Sequence, residues 1–285
     1  MLMAARRLAA ALSLVAALFV VGCGGGSEST SIAVGARDDS LSTLLAHLYA
    51  AALRTHGSPS HVAVVDDPLV GLDSGEVIVA PGFTGRLLET FAPGGKARAA
   101  AQVYRDMVAA LPEGVAAGEY AESAEDKPAL AVTEATADAW GGRDMTAAVR
   151  NCDTLRVGQV TGTLRPAKIG NCAVKAREFP DTAALFTALR DRQVNAAWTS
   201  TADADIPEDV LVLTDRTALI RAENVVPLYR RNELSEVQVL ALNEVAGVLD
   251  TAGLVQLRRQ VADGADPAAV VDGFLAEHPL GATSR

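Results

Sequence analysis

The sequence predicts an α/β protein built from mostly parallel sheets flanked by helices, and three observations carry that expectation. From Ser31 onward short apolar runs alternate with helical patterns, the order that layers helices on sheets. One segment, GVAAGEYAESAEDKP (114–128), interrupts this periodicity with small and charged residues and marks a boundary between two parts. From Ser235 onward the pattern is helical only.

The elements follow in order. SIAVGA (31–36) is a short apolar strand. In DDSLSTLLAHLYAAALRTHG (38–57), Leu41, Leu44, Leu45, Leu48 and Leu53 share one broad helical face. Ser40 is the expected N-cap there and Gly57 the stop. HVAVVD and EVIVAP are the next strands, and a helix is expected over Ala97 to Leu111. Beyond the boundary segment, ALAVT resumes a strand, and TEATADAWGGRDMTAAVRN reads as a helix, a glycine break and a second short helix. LRVGQV is a strand, FPDTAALFTALRDRQ a helix, and NAAWTS, DVLVLTD and VVPLYRR are strands. Three helices close the chain: Ser235 to Leu249, Thr251 to Val261, and one opened by Asp266 and Pro267 that ends near His278 before Pro279. The sequence has no internal repeat.

The N-terminus has a different character. Arg6 and Arg7 precede LAAALSLVAALFVV, an uncharged run too short for a spanning helix, which needs roughly 20 apolar residues. This is signal-peptide architecture, assigned to residues 1–22. Val20, Val21, Gly22 and Cys23 resemble the bacterial lipobox, in which the cysteine is acylated and becomes the new N-terminus. On that resemblance Cys23 carries lipid, and residues 23–31, with the GGGSEST tract, are a flexible tether to a membrane surface. An ordinary secretory signal with an incidental cysteine remains the alternative.

Loss of Arg6 and Arg7 takes the formal charge from −10 to −12, which disfavours nucleic acid as a partner. About 260 remaining residues suffice for a large core or two lobes. Beyond Cys23 only Cys152 and Cys172 remain. An even number in an exported chain favours one disulfide, with two free buried thiols as the alternative. The histidines, His47, His56, His61 and His278, form no metal motif, and neither an HExxH nor a GxSxG pattern occurs. No metal, no cofactor and no enzymatic activity are expected.

Four segments carry a resemblance to a known family. They are IAVGARDDSLSTLLAHLYAAAL; EVIVAPGFTGRLL; KPALAVTEATADAW; and LFTALRDRQVNAAWTSTADADI with the following VLVLTD and VVPLYRR. In order and spacing the chain from Ser31 to Leu280 resembles the substrate-binding proteins of ABC importers for glycine betaine, choline and related osmoprotectants. That resemblance implies a two-lobe, type II periplasmic-binding-protein-like fold whose lobes close over a small solute. It places the crossovers near Ala129 to Thr133 and Asn224 to Tyr229, lobe 1 at 32–128 with 226–285, and lobe 2 at 129–225. Ligand in such α/β folds sits beyond the carboxyl ends of the strands.

The departures from the family pattern concern the solute. Relatives commonly hold a quaternary ammonium head with aromatic faces. Here Asp39 occupies the first aromatic position, and Arg221 and Glu223 fall where a tyrosine is expected. Pro81, Phe83, Thr84 and Gly85 fit the Pro-Glu-Tyr-Thr-Gly turn, while Gly82 replaces its acid. The resemblance implies a ligand set of Asp39, Ser40, Phe83, Thr84, Trp198, Thr201, Asp203 and Glu223. The acids Asp39, Asp203 and Glu223 are expected to replace part of an aromatic cage, selecting a cationic or zwitterionic head that donates hydrogen bonds. Their alternative role is as solvated turn residues. The expected partners are a small solute, an ABC permease and, through the lipid, the cell membrane, with the protein a monomer outside the cytoplasm. A second class stays open: an envelope interaction lipoprotein that kept the two-lobe fold after its cleft lost function.

Overall fold

The computed structural model describes residues 31–163 and 165–281. The leader, Cys23 and the GGGSEST tract lie outside the described residues. The chain begins with β1 (Ile32–Ala36), α1 (Ser40–Thr55), β2 (Ser60–Val64), α2 (Pro68–Ser74) and β3 (Val79–Phe83). It continues with α3 (Thr84–Phe91), α4 (Ala100–Ala109) and β4 (Val115–Ala117). The middle comprises β5 (Pro128–Thr133), α5 (Glu134–Trp140), α6 (Met145–Arg150), β6 (Val157–Val160), β7 (Lys168–Ile169), β8 (Cys172–Ala173) and β9 (Ala176–Phe179). It ends with α7 (Thr182–Arg190), β10 (Ala196–Ser200) and β11 (Val210–Val212). Last come β12 (Val225–Arg230), α8 (Glu236–Val248), α9 (Thr251–Ala262) and α10 (Pro267–Glu277).

Two five-stranded sheets result, ordered β2-β1-β3-β12-β4 and β11-β5-β10-β6-β9. Each is mixed rather than mostly parallel. In the first, β1 pairs in parallel with β2 and β3, and β12 runs antiparallel to β3 and β4. In the second, β6 is parallel to β9 and β10, and β5 is antiparallel to β10 and β11. The reversal has one cause. Helical crossovers return the chain in the same direction, whereas β5 and β12 each arrive from the opposite sheet. Just ahead of them the two connections touch in an antiparallel bridge, Glu125 to Asn224.

Helices cover both faces of the first sheet. On one side α1 buries Leu44, Leu45, Leu48, Tyr49 and Leu53 against α8, α9 and α10. Each such leucine contributes roughly 1.5–3 kcal/mol by burial. On the other side Leu72, Leu88, Val103 and Met107 from α2, α3 and α4 pack against Leu228 of β12. The second sheet packs α5 and α6 on one face and α7 on the other. Gly158 in β6 permits that last contact, because a Cβ there would lie 2.5 Å from Leu185 Cδ1. Among the described residues no single helix is long and apolar enough to cross a membrane.

Local chemistry explains where boundaries moved. Asp39, not Ser40, caps α1, because its carboxylate reaches the Ser42 N–H at 2.8 Å. Residues 97–99 stay outside the helix ahead of α4, and Phe179 ends β9 while Asp181 caps α7. Cys152 and Cys172 form a disulfide that staples the β7–β8 hairpin to the turn after α6.

Candidate functional site

The carboxyl ends of β1 and β3 and the two connections between sheets converge on one region. Its organising contact is made by α3. The capping position, Phe83, offers no side-chain acceptor, so the first N–H groups of this helix need a partner from elsewhere. Glu223 supplies it: its carboxylate accepts from the Arg86 N–H at 2.9 Å. Thr84 is fully buried and closes the same junction, donating its N–H to the Asn224 carbonyl at 2.9 Å and accepting from the Asn224 N–H at 3.1 Å. Gly85 is required by this approach, since a Cβ would stand 2.5 Å from the Ala222 carbonyl oxygen and 2.7 Å from Glu223 Oε1. Burial pushes the Glu223 carboxyl up to about 7, outweighing the N–H of Arg86 and the Arg86 and Arg221 charges that favour ionisation.

Charge alternates through the rest of the region. Asp126, only 5% exposed, lies 3.4 Å from the Arg86 guanidinium and 3.6 Å from that of Arg258 on α9. Its Oδ1 has no hydrogen-bond partner among the described residues. Arg165, half-buried on the loop after β6, faces Asp126, Asp203 and Arg86. Burial lowers its proton affinity and the two carboxylates oppose that. Lys127 sits 3.2 Å from Glu125 and 3.7 Å from Asp215.

The predicted residues divide into groups. Asp39 and Phe83 line one cavity of about 130 Å³ at the ends of β1 and β3, together with Arg37 and Arg86. Ser40 is an exposed first-turn residue of α1. Glu223 lines a second cavity of about 780 Å³ between α3, β7 and the second connection, and Arg86 lines both. Thr201 is structural glue: its hydroxyl donates to the Glu125 carbonyl at 2.9 Å and accepts from the Lys127 N–H at 3.1 Å. Asp203 accepts from the Thr199 hydroxyl at 2.6 Å and the Asp205 N–H at 3.0 Å. Trp198 stands apart. It is 3% exposed and packs with Leu130, Met145 and Leu213 in the core of the second sheet. The Arg86 guanidinium already lies 4.6 Å from the centroid of the Phe83 ring.

Arg86, Asp126, Arg165 and Arg258 were not expected at the site. Arg86 was within reach, as the residue immediately after the recognised PGFTG turn. Asp126 lies in a stretch read only as a boundary, and nothing local in the sequence distinguishes Arg165 or Arg258. Among the described residues no group of histidines, cysteines and carboxylates is placed to hold a metal ion.

Two mixed sheets, a pair of connections and a cavity between them make a two-lobed α/β fold similar to that of the periplasmic binding proteins. Residues 170–277 match the family described as the substrate binding domain of ABC-type glycine betaine transport systems, the family that the four sequence segments resemble. That family binds and delivers solutes and is not one of enzymes. Apo YehZ from Escherichia coli is similar over 88% of this chain and 99% of its own, with a TM-score of 0.70 and 21% identity. A glycine betaine/carnitine/choline ABC transporter structure is similar over 87% of this chain and 98% of its own, with a TM-score of 0.73 and 16% identity. Lactococcal OpuAC, closed and complexed with glycine betaine, aligns over 87% and 96% with a TM-score of 0.51 and 10% identity. No curated protein sequence matches the chain.

Proposed function

We propose that the protein is a lipid-anchored solute-binding lipoprotein of an ABC importer, monomeric and held outside the cytoplasm by Cys23. Lobe 1 comprises residues 32–128 with 226–285 and lobe 2 residues 129–225. A small zwitterionic or cationic solute of the osmoprotectant kind bridges them, and the closed form that it favours is what the permease recognises. The observation that carries this reading is the cavity between the sheets, where Arg86 and Glu223 meet residues of both lobes. The family match and the glycine betaine bound to lactococcal OpuAC support it.

The solute differs in kind from a quaternary amine. A cation–π site needs a free aromatic face, and Arg86 occupies that of Phe83 while Trp198 is committed to the core. The buried carboxylates instead suit a head with N–H groups, which can satisfy acceptors such as Asp126 Oδ1. Calorimetry of the full chain in mild detergent, against glycine betaine, choline, carnitine, amino acids and polyamines, tests this. Saturable heat is expected from an N–H-bearing solute and none from choline. Tight betaine or choline binding would overturn the choice of solute. Silence across the panel, with unchanged scattering curves, would favour an envelope interaction protein instead.

A further inference from the structure

The cavity between α3 and β7 has a charge opposite to that of the chain. The sequence carries 35 acids against 25 Lys and Arg, yet the cations Arg86, Lys96, Arg98, Lys168 and Arg221 line this cavity with only two acids, Glu89 and Glu223. Glu89 is taken by Arg221 at 2.7 Å. Glu223 is held by the Arg86 N–H, and Arg86 faces Asp126. Arg98 donates to the Leu219 carbonyl at 3.1 Å and has no carboxylate within 4.0 Å among the described residues. Neither Lys96 nor Lys168 forms an ion pair among the described residues either. Three exposed positive charges, Lys96, Arg98 and Lys168, therefore border this open cavity without a carboxylate partner among the described residues, and their summed field favours an anion there.

We propose that this cavity is an anion subsite of the solute cleft, which narrows the solute to the zwitterionic kind: an N–H-bearing cationic head joined to an anionic end of two carboxylates or one phosphoryl group. The proposal rests on the cleft being the solute site and names what that solute must present. Lys96 and Arg98 come from the segment ahead of α4, whereas Lys168 comes from the separate β7–β8 hairpin, whose Ile169 packs in the core beside the second sheet. An anion held by both would draw the lobes together. The Cys152–Cys172 staple fixes the hairpin, because Ile169, next to Lys168, pairs with Cys172 itself. Arg86 lines both cavities and links this subsite to the one around Asp39 and Phe83.

The test is calorimetric titration of the full chain in mild detergent with succinate, inorganic phosphate and glycine betaine. It is run on the wild type, on Lys96→Glu/Lys168→Glu and the neutral Lys96→Gln/Lys168→Gln, and on Lys175→Glu as an exposed control outside the cavity. At least one dianion is expected to bind, succinate marking carboxylate recognition and phosphate marking phosphoryl recognition. The charge reversal should weaken that binding by at least about tenfold, with the glutamine pair intermediate and Lys175→Glu unchanged. Affinity should also fall between ~0.05 and ~0.5 M salt as the Debye length shortens. The proposal is overturned if neither dianion binds the wild type, or if both doubly substituted proteins bind it as well as the wild type does. Should a zwitterion from the wider panel bind all variants equally, the anion subsite falls and the solute-binding reading stands. If no solute of any class releases heat, both fall.

Discussion

Replacing Glu223 with glutamine isolates the energetics of the carboxyl that docks the second connection on α3. The group rises from its ordinary 4.5 to about 7 because it is buried, and one unit corresponds to about 1.4 kcal/mol. The native state therefore keeps a proton that the unfolded chain releases between those two values. Its stabilising contribution is complete below pH 4.5 and is lost as pH rises through about 7, at a total cost of about 3 kcal/mol. Glutamine is neutral throughout and keeps an acceptor for the Arg86 N–H. The stability advantage of Glu223→Gln should thus widen by roughly 2–3 kcal/mol between pH ~5 and pH ~8.5. Urea unfolding followed by far-ultraviolet circular dichroism at a series of pH values reads this directly. Parallel pH profiles for the two proteins would refute the account, since they would mean that the carboxyl keeps its proton affinity on folding.

Four further outcomes are expected. Trp198→Phe should lower stability by about 1–2 kcal/mol while leaving solute affinity within about twofold, and calorimetry showing a large affinity loss would return Trp198 to the site. Reducing the Cys152–Cys172 disulfide, whose loop spans 20 residues, should cost roughly 3 kcal/mol in urea unfolding; no change with reductant would contradict the staple. Gly85→Ala should destabilise by about 1–3 kcal/mol because its methyl group meets the Ala222 carbonyl and Glu223, and an unaltered melting temperature would disprove that close approach. Cys23→Ser should move the protein from the membrane fraction to the soluble fraction, and continued membrane association would dismiss the lipid anchor.

The elements that stood out in the sequence are those whose own pattern determines them. The leucines of α1 and the capped C-terminal helices announce themselves because burial follows a 3.6-residue period. α3 does not, because it is only eight residues long and its N-terminal acceptor arrives from Glu223, far along the chain. β4 and the β7–β8 pair are too short to show alternation. The candidate site was legible where a turn has a recognisable form, as at Phe83, which lines the smaller cavity, and obscure where it depends on convergence. Asp126 and Arg258 meet only once the first connection lies against α9, and Trp198, expected in the cleft from the resemblance, packs in the core of the second sheet because its neighbours along β10 are buried on both faces.

The route of the chain also sets an order of assembly. Every strand of the second sheet lies between Pro128 and Val212, so that unit is complete as soon as its own segment has emerged. The first sheet is different, because β12 must slot between β3 and β4 and α1 awaits α8 and α10. A polypeptide made from its amino end therefore holds a half-built leading layer until its final sixty or so residues follow. Synthesis arrested before residue 225 leaves an unpaired edge on β3, a natural target for chaperones and proteases.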